Sequence, residues 1–579
     1  MCGFVGMLGS QVSLKQIQNA TASIAHRGSQ TLKPCFYHND SFACGFVRLD
    51  ICDLHPRSTQ PFYREECGFI LCFNGEIYNY LSLKDELIAL GYTFSTSSDT
   101  EVLYYMYHHY GRECFARLRG MFAVAIYHIE EQSVLLARDP FGIKPLYYAY
   151  VNDRFCFASE VKALRHFFPL QVQAQHIVEF LSYGCALSSH TPFLHVLELQ
   201  ASTILHYKDK QIHTSSYYNL LQSFEATASK HERESIARES IIRESIAPTL
   251  LESIALHAKA DVPFATQLSG GLDSSFISAL AFRLNPSLQA FSVNLPLQSL
   301  DESHFQNMLC SKLGMQRHSL MYDDFFHLPS WRDSIFYEDF PLHHPNILAS
   351  NKLNALACAH GFKMLLSGDG SDELFCGYAW HLQQPSSIES ALHLIAYVTP
   401  PTLAKVLHLP SPQIPPSLYS AYQQLGSENI MTYLGQAIYL QKWLRRQDRS
   451  GMQHSIEIRV PFVDVPLARL LNALPLSYKT HNFTQNKALL KHIAQAYLPK
   501  ELIYQSKIGF PLPIKEYFAH AKARKLYAML FSKRALSRGI YNEKALHAVI
   551  QAHTSGAKDY SRLLWLICNL ELWLQMLGE

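Results

Sequence analysis

"QLSGGLDSS" (residues 267–275) sits where an apolar strand, "VPFATQLSG", gives way to a helix expected over 272–284. Gly270 and Gly271 let the backbone come close to a ligand. Ser269, Ser274 and Ser275 supply hydroxyls, and the start of the helix offers unpaired N–H groups to an anion. Asp273 would repel a bare phosphate but suits one that carries Mg2+. The pattern is neither GxxxxGK[ST] nor GxGxxG. A second corner, "LLSGDGSDELFCGY" (365–378), also follows an apolar strand and supplies Ser367, Gly368 and Gly370 together with Asp369, Asp372 and Glu373. If the two strands are neighbours, these acids and Asp273 share one cleft, and carboxylates so crowded need a cation.

Strands and helices alternate around these corners. "QAFSVNL" leads to a helix over 301–314, "RHSLMY" is a strand, and a helix over 348–360 precedes "KMLLSG". The alternation predicts a parallel sheet with helices on both faces. From 385 onward helices dominate. The tail "LLWLICNLELWLQML" (563–577) carries Asn569, Glu571 and Gln575. It is too short and too polar to span a bilayer, which predicts a core helix.

The chain has 579 residues, 48% hydrophobic and 17% charged, as expected of a soluble globular protein of two to four domains. A net charge of +2 gives no reason to expect nucleic acid or membrane as a partner. The 13 cysteines include no CxxC pair, which argues against a zinc ribbon or a thioredoxin-like motif. Scattered thiols and no basic-then-apolar leader predict a cytoplasmic protein. The first part of the chain alternates as strands, with hairpins turning at Glu130-Glu131 and Asn152-Asp153. Helices are expected over 81–91 and 99–111, the second with Asp99 as N-cap and Gly111 as stop. "RESIARESIIRESIAPTLLESIA" (233–255) repeats about every five residues and reads as a linker plus an entry helix.

The chain opens "MCGFVG" (1–6). Residue 2 is small, so removal of Met1 is expected. Cys2 then carries a thiol and a free α-amine on one residue. With an amine pKa of ~8 and a thiol pKa of ~8.5, the amine can act as general base for its own side chain, directly or through a water.

"HRG" (26–28), "RLDICDL" (48–54), "FNGEIYNY" (73–80), "SSDTEV" (97–102), "GMFAVAIY" (120–127), "RDPFGIKPLYY" (138–148) and "FASEVKAL" (157–164) follow "MCG" in order. Together they resemble the glutaminase domain of class II glutamine amidotransferases. "SGGLDSS" is similar to the PP-loop of ATP pyrophosphatases. With "SGDGSDELF" and "IEIRVPFVD" (456–464), the resemblance extends over nearly the whole chain to glutamine-hydrolysing asparagine synthetases.

The resemblance implies a two-domain fold. Residues 1–205 would form an α+β domain, an Ntn-hydrolase-like antiparallel β-sandwich flanked by helices. Residues 206–260 would be linker and entry helix, and 261–579 an α/β parallel-sheet PP-loop domain with additional helices. It implies Cys2 as nucleophile and Asn74 with Gly75 as the oxyanion hole. Arg48 would take the glutamine α-carboxylate, and Glu76 and Asp99 its α-ammonium. ATP would lie against Leu268, Ser269, Gly270, Gly271, Asp273, Ser274, Ser275, Val293, Ser367 and Gly368, with Mg2+ on Asp273 and Asp372. Lys507, in "YQSKIGFPLP" (504–513), would lie beside pyrophosphate and the adenylate. Asp369 would serve ammonia addition. Lys487 in "QNKALLK" matches the family too. Gln60 in "TQP" belongs to the glutaminase neighbourhood without an assigned role. Arg449, Glu457, Arg459 and Asp464 read as a partly buried, domain-locking ion network outside the site. Glutamine, aspartate and ATP are the implied small-molecule partners, and a homodimer is compatible with the resemblance. Free ammonia at neutral pH is mostly ammonium, so a sheltered passage between the two sites is expected.

Three departures bear on the acceptor. The family's "HRGPD" is "HRGSQ" (26–30), its "SGEG" is "SGDG", and its "LFGGY" is "LFCGY", with Cys376 in place of glycine. Asp369 retracts its carboxylate by one methylene, ~1.5 Å, where proton transfer needs close contact. The "SGDG" form resembles relatives that amidate other carboxylates, such as sugar acids of surface polysaccharides. Three readings follow: an asparagine synthetase, the same machinery acting on another carboxylate, and an inactive relative that serves as a binding partner.

Overall fold

A computed structural model describes residues 2–10, 12–224, 242–505 and 512–578. Twelve of its strands lie in the first part of the chain: β1 (Gly3–Gly9), β2 (Cys35–His38), β3 (Phe42–Val47), β4 (Phe62–Arg64), β5 (Phe69–Ile77), β6 (Gly120–His128), β7 (Ser133–Arg138), β8 (Tyr147–Val151), β9 (Arg154–Ala158), β10 (Leu197–Glu198), β11 (Thr203–Lys208) and β12 (Gln211–Ser216). They form two six-stranded sheets, ordered β10-β8-β9-β1-β3-β2 and β12-β11-β7-β6-β5-β4. All of their pairings are antiparallel. Phe4, Phe42, Phe46, Phe155, Phe157 and Tyr127 fill the space between them. Phe42 and Tyr127 stack at 4.0 Å between centroids. The sandwich forms because these strands place aromatic and β-branched residues on the face each sheet buries.

Local chemistry sets the connections. Asn152 and Asp153 adopt φ of 51° and 59° between β8 and β9, the left-handed pair that a two-residue hairpin requires. Helix α1 (Asp99–Tyr110) covers the outer face of the second sheet. Its N-cap is Ser98, whose hydroxyl accepts from the Thr100 N–H. Asp99, the expected cap, is instead the first helical residue, and its carboxylate accepts the Ile77 N–H at 3.0 Å. The cap goes to the residue with extended backbone, which leaves the aspartate for another use.

The second half contains a parallel sheet of β13 (Phe264–Gln267), β14 (Gln289–Asn294), β15 (Arg317–Met321), β16 (Met364–Leu366) and β17 (Glu457–Arg459). Their order is β15-β14-β13-β16-β17. The chain first builds outward from β13 through β14 and β15, then returns to the other side of β13. That reversal opens a crevice beyond the carboxyl ends of β13 and β16. "SGGLDSS" leaves β13 into helix α2 (Leu272–Leu284), and "SGDGSDE" leaves β16, so both corners line the crevice. Helix α3 (Leu440–Met452) lies beyond it, and the apolar tail becomes the buried helix α4 (Ser561–Leu577). Of the repeat at 233–255, residues 233–241 lie outside the described residues, and the rest runs into a helix over Ala247–His257. Among the described residues, no helix is long and apolar enough to cross a membrane.

Buried ion pairs join the halves. Arg27 makes a bidentate pair with Asp448 of α3 at 2.8 and 3.0 Å. Arg449 pairs with Glu160 at 2.8 Å, and Arg119 with Asp464 at 2.7 Å. Replacing one partner of such a pair strands the other charge away from water.

Candidate active site

The first cluster gathers at the mouth of the sandwich. Cys2 precedes β1 and is 9% exposed. Its N–H donates to Asn74 Oδ1 at 3.0 Å. That contact leaves the Asn74 amide nitrogen buried without a hydrogen-bond partner among the described residues. Gly75 follows in β5 at a place where a Cβ would meet the Met121 carbonyl oxygen at 2.0 Å, so only glycine fits. Arg48 donates to the carbonyls of His55 (2.9 Å) and Asp53, bracing the loop after β3. Glu76 and Asp99 complete the wall. Cys2, Arg48, Gly75, Glu76 and Asp99 line one cavity.

Burial pushes the Cys2 thiol up, so its deprotonation needs a base at hand. Burial also pushes Asp99 up, to about 6. Gln60 shares the lining and holds β5 through Phe73, donating to its carbonyl at 3.1 Å and accepting its N–H at 2.5 Å.

Two residues read as purely structural belong here. Glu457, in β17 of the other half, also lines the Cys2 cavity. Arg459 donates to Glu457 at 2.5 Å, to Glu76 at 2.9 Å and to the carbonyls of His257 and Lys259 at 3.0 and 2.6 Å. The ion network therefore locks the domains and also builds the pocket wall. Spacing could not disclose this, because Glu76 and Arg459 are 383 residues apart; the charge alternation in "IEIRVPFVD" was the only signal.

The second cluster lies in the crevice. Gly270 has φ of +102°, and a Cβ there would come within 2.9 Å of Glu302. The loop is laced by its own serines: the Ser269 N–H donates to Ser274 Oγ at 3.1 Å, and the Gly271 N–H to Ser269 Oγ at 3.2 Å. Ser275 Oγ is buried without a partner among the described residues. Leu268 donates its N–H to Phe291 at 2.8 Å, and Val293 lies one strand over. The two corners touch, since a Cβ on Gly368 would come within 2.8 Å of the Ser274 nitrogen.

Of the four acids, Asp273 and Asp372 converge. Lys487 Nζ bridges them, 2.6 Å from Asp273 and 2.6 Å from Asp372. The Ser371 hydroxyl donates to Asp273 at 2.7 Å. Two carboxylates facing one space are the hard oxygen donors that Mg2+ takes, with phosphate oxygens and waters to complete six. Asp369 points elsewhere. It accepts from Ser367 Oγ (2.7 Å), Arg446 Nη2 (3.0 Å) and Gln447 Nε2. Glu373 accepts from the Tyr378 hydroxyl at 2.8 Å, and burial pushes it up to about 8. Cys376 takes the left-handed φ of 59°, which accounts for glycine being the usual residue there. Lys507 lies outside the described residues.

A thiol beside an orphaned amide, joined to a nucleotide-type loop at a parallel-sheet crevice, defines an amidotransferase coupled to an activating domain. Residues 1–218 match the glutamine amidotransferase domain family, and residues 245–575 match the asparagine synthase family. The chain therefore belongs to the asparagine synthase family. It is 28% identical to asparagine synthetase [glutamine-hydrolyzing] 1 of Bacillus subtilis, over 99% of this chain and 96% of that protein. It is 28% identical to asparagine synthetase B [glutamine-hydrolyzing] of Escherichia coli, over 88% and 82%. Amidase chyE of Penicillium rubens is 25% identical over 93% of this chain and 90% of its own length.

Proposed function

We propose that this protein is a glutamine-dependent asparagine synthetase. Glutamine and water give glutamate and ammonia at Cys2. Aspartate and ATP give a β-aspartyl adenylate and pyrophosphate in the crevice. Ammonia displaces AMP from the adenylate, leaving asparagine. The observation that carries the first step is the Cys2–Asn74 contact. Once Met1 is removed, the nitrogen that touches Asn74 is the α-amine. It takes the thiol proton, the thiolate attacks the side-chain amide, and the oxyanion is met by the unpartnered Asn74 amide and the Gly75 N–H. Arg48 takes the substrate carboxylate, and Glu76 and Asp99 its ammonium.

In the crevice, the N-terminus of α2 and the loop hydroxyls receive the phosphates. Asp273 and Asp372 would hold Mg2+, which neutralises charge on the departing pyrophosphate when bound. Lys487 keeps the two carboxylates together. Lys507 contributes a further cation at the adenylate. Asp369 receives or relays a proton from the attacking ammonia.

A second reading, amidation of a different carboxylate, is favoured by one observation. The short Asp369 side chain is held by Arg446 and Gln447, and relatives that share the chain's length include a protein named as an amidase. Pyrophosphate release by purified protein decides between them. Aspartate raises the rate over a control without acceptor if the first reading holds. No stimulation by aspartate, with stimulation by another acid, overturns it in favour of the second.

A further inference from the structure

The crevice holds a second group of side chains that neither nucleotide nor glutamine uses. Lys442, Trp443 and Arg446 project from one side of α3, since Lys442 and Arg446 are four apart. Arg446 joins this group to Asp369 at 3.0 Å and packs its guanidinium 4.7 Å from the Trp443 ring. The Trp443 ring lies 5.2 Å from that of His344, on the segment opposite. Lys442 Nζ sits 3.3 Å from the Tyr439 ring centroid, and the residue is 5% exposed. Two buried donors here, Trp443 Nε1 and Arg446 Nε, have no hydrogen-bond partner among the described residues.

Buried donors are seldom left unmade without reason, and a buried ammonium over aromatic rings is costly without an anion. The charge count has the same sense. Asp369 is already paired with Arg446 at 3.0 Å. Burial draws Lys442 down to about 7, as expected of an ammonium whose counter-charge arrives with a ligand. His344 is likewise held neutral by burial and the cations nearby.

We propose that Lys442, Trp443 and Arg446 form the acceptor subsite, and that it selects an acid keeping a second anionic group beyond the carboxylate being activated. The inference rests on the adenylate-forming reaction above and deepens it. The reacting carboxylate lies toward Asp369 and the α2 loop, and the second anion lies against Lys442 and the indole N–H. Aspartate meets this requirement with its α-carboxylate. A nucleotide-linked sugar acid meets it with its diphosphate.

The test uses the full-length protein with ATP, Mg2+ and ammonium chloride, and reads pyrophosphate. Four acceptors are compared: aspartate, its α-amide isoasparagine, glucuronate and UDP-glucuronate. A rate above background with aspartate or UDP-glucuronate, but with neither singly charged acid, is expected. Lys442→Met and Trp443→Phe should raise the KM of the working acceptor, Lys442→Met by about tenfold to a hundredfold, and leave the KM for ATP unchanged. Thermal melting verifies that each variant folds. Equal turnover of isoasparagine and aspartate, or unchanged acceptor KM in a folded Lys442→Met, overturns the proposal. The two readings fail differently: UDP-glucuronate working where aspartate does not removes the asparagine product but keeps the subsite. Silence from all four acceptors removes both.

Discussion

The two clusters solve opposite electrostatic problems. In the proposed reaction the Cys2 cavity receives a zwitterion with a neutral reacting end, and its wall carries groups of both kinds: Arg48, the carboxyls Glu76 and Asp99, and from the second half Glu457 with Arg459 behind it. In the same proposal the crevice receives a polyphosphate, and its carboxylates Asp273 and Asp372 are kept together by Lys487. The first site draws its wall from both domains. The second is assembled within the second half alone, from two sheet loops and Lys487 at a helix start. Damage to the nucleotide loops should therefore stay in the second site, whereas damage to the interface should reach the first.

The comparison breaks most visibly at Cys2. Cys2→Ala should lower glutamine hydrolysis by about a thousandfold or more and leave ammonia-dependent synthesis largely intact, measured as glutamate and AMP release. Loss of both activities in folded protein would mean that the sites are not separate. Asp273→Asn is the mirror test. It should lower synthesis with either nitrogen source by about a hundredfold or more, with glutamate release retained.

The interface comes next. Arg27 donates to the Cys2 carbonyl at 3.0 Å while it pairs with Asp448 and Glu160. Arg27→Met should cost about 3 kcal/mol by stripping buried Asp448 of its bidentate partner, while Glu160 keeps Arg449. It should lower the melting temperature and impair glutamine hydrolysis more than ammonia-dependent synthesis. Equal loss in both activities would place its role in stability alone.

A smaller effect follows from pH. Burial disfavours the charge on Asp99 and pushes its carboxyl up to about 6. In the proposed site its anionic form receives the ammonium, so binding should be supported above that value and lost below it. The KM for glutamine should be flat above pH 6 and rise by up to about tenfold per pH unit below it. Asp99→Asn should raise KM throughout and remove this limb. The sense for stability is opposite: a carboxyl whose folded pKa is raised favours the folded state at low pH and loses that contribution as pH rises through it.

The smallest effect concerns Cys376. Relaxing its left-handed backbone with Cys376→Gly returns about 1 kcal/mol, and emptying the buried thiol space costs about as much. The melting temperature should hardly move.

Much of both sites was legible because each is built from contiguous strings. "FNGEIYNY" carries Asn74, Gly75 and Glu76 on one strand, and "SGGLDSS" carries a whole loop. Their chemistry is local, so the order of residues reveals it. Three features were not legible. Glu457 lines the Cys2 cavity, with Arg459 behind it on Glu457 and Glu76, only because β17 docks at the rim of the sandwich. Lys487 was marked by its motif, but its pairing with Asp273, 214 residues away, was not. The Lys442–Trp443–Arg446 face shows no motif at all, only an amphipathic helix whose polar side could equally have met solvent. Asp99 shows the limit at short range: a serine one residue earlier takes the cap and frees the carboxylate for the pocket.

The most direct measurement follows the nitrogen. Purified protein is given [amide-15N]glutamine, ATP, Mg2+ and aspartate, and the products are analysed by mass. Asparagine carrying 15N is expected, with one AMP for each, and no labelled asparagine from Cys2→Ala. Labelled ammonia accumulating with no label in asparagine would contradict it.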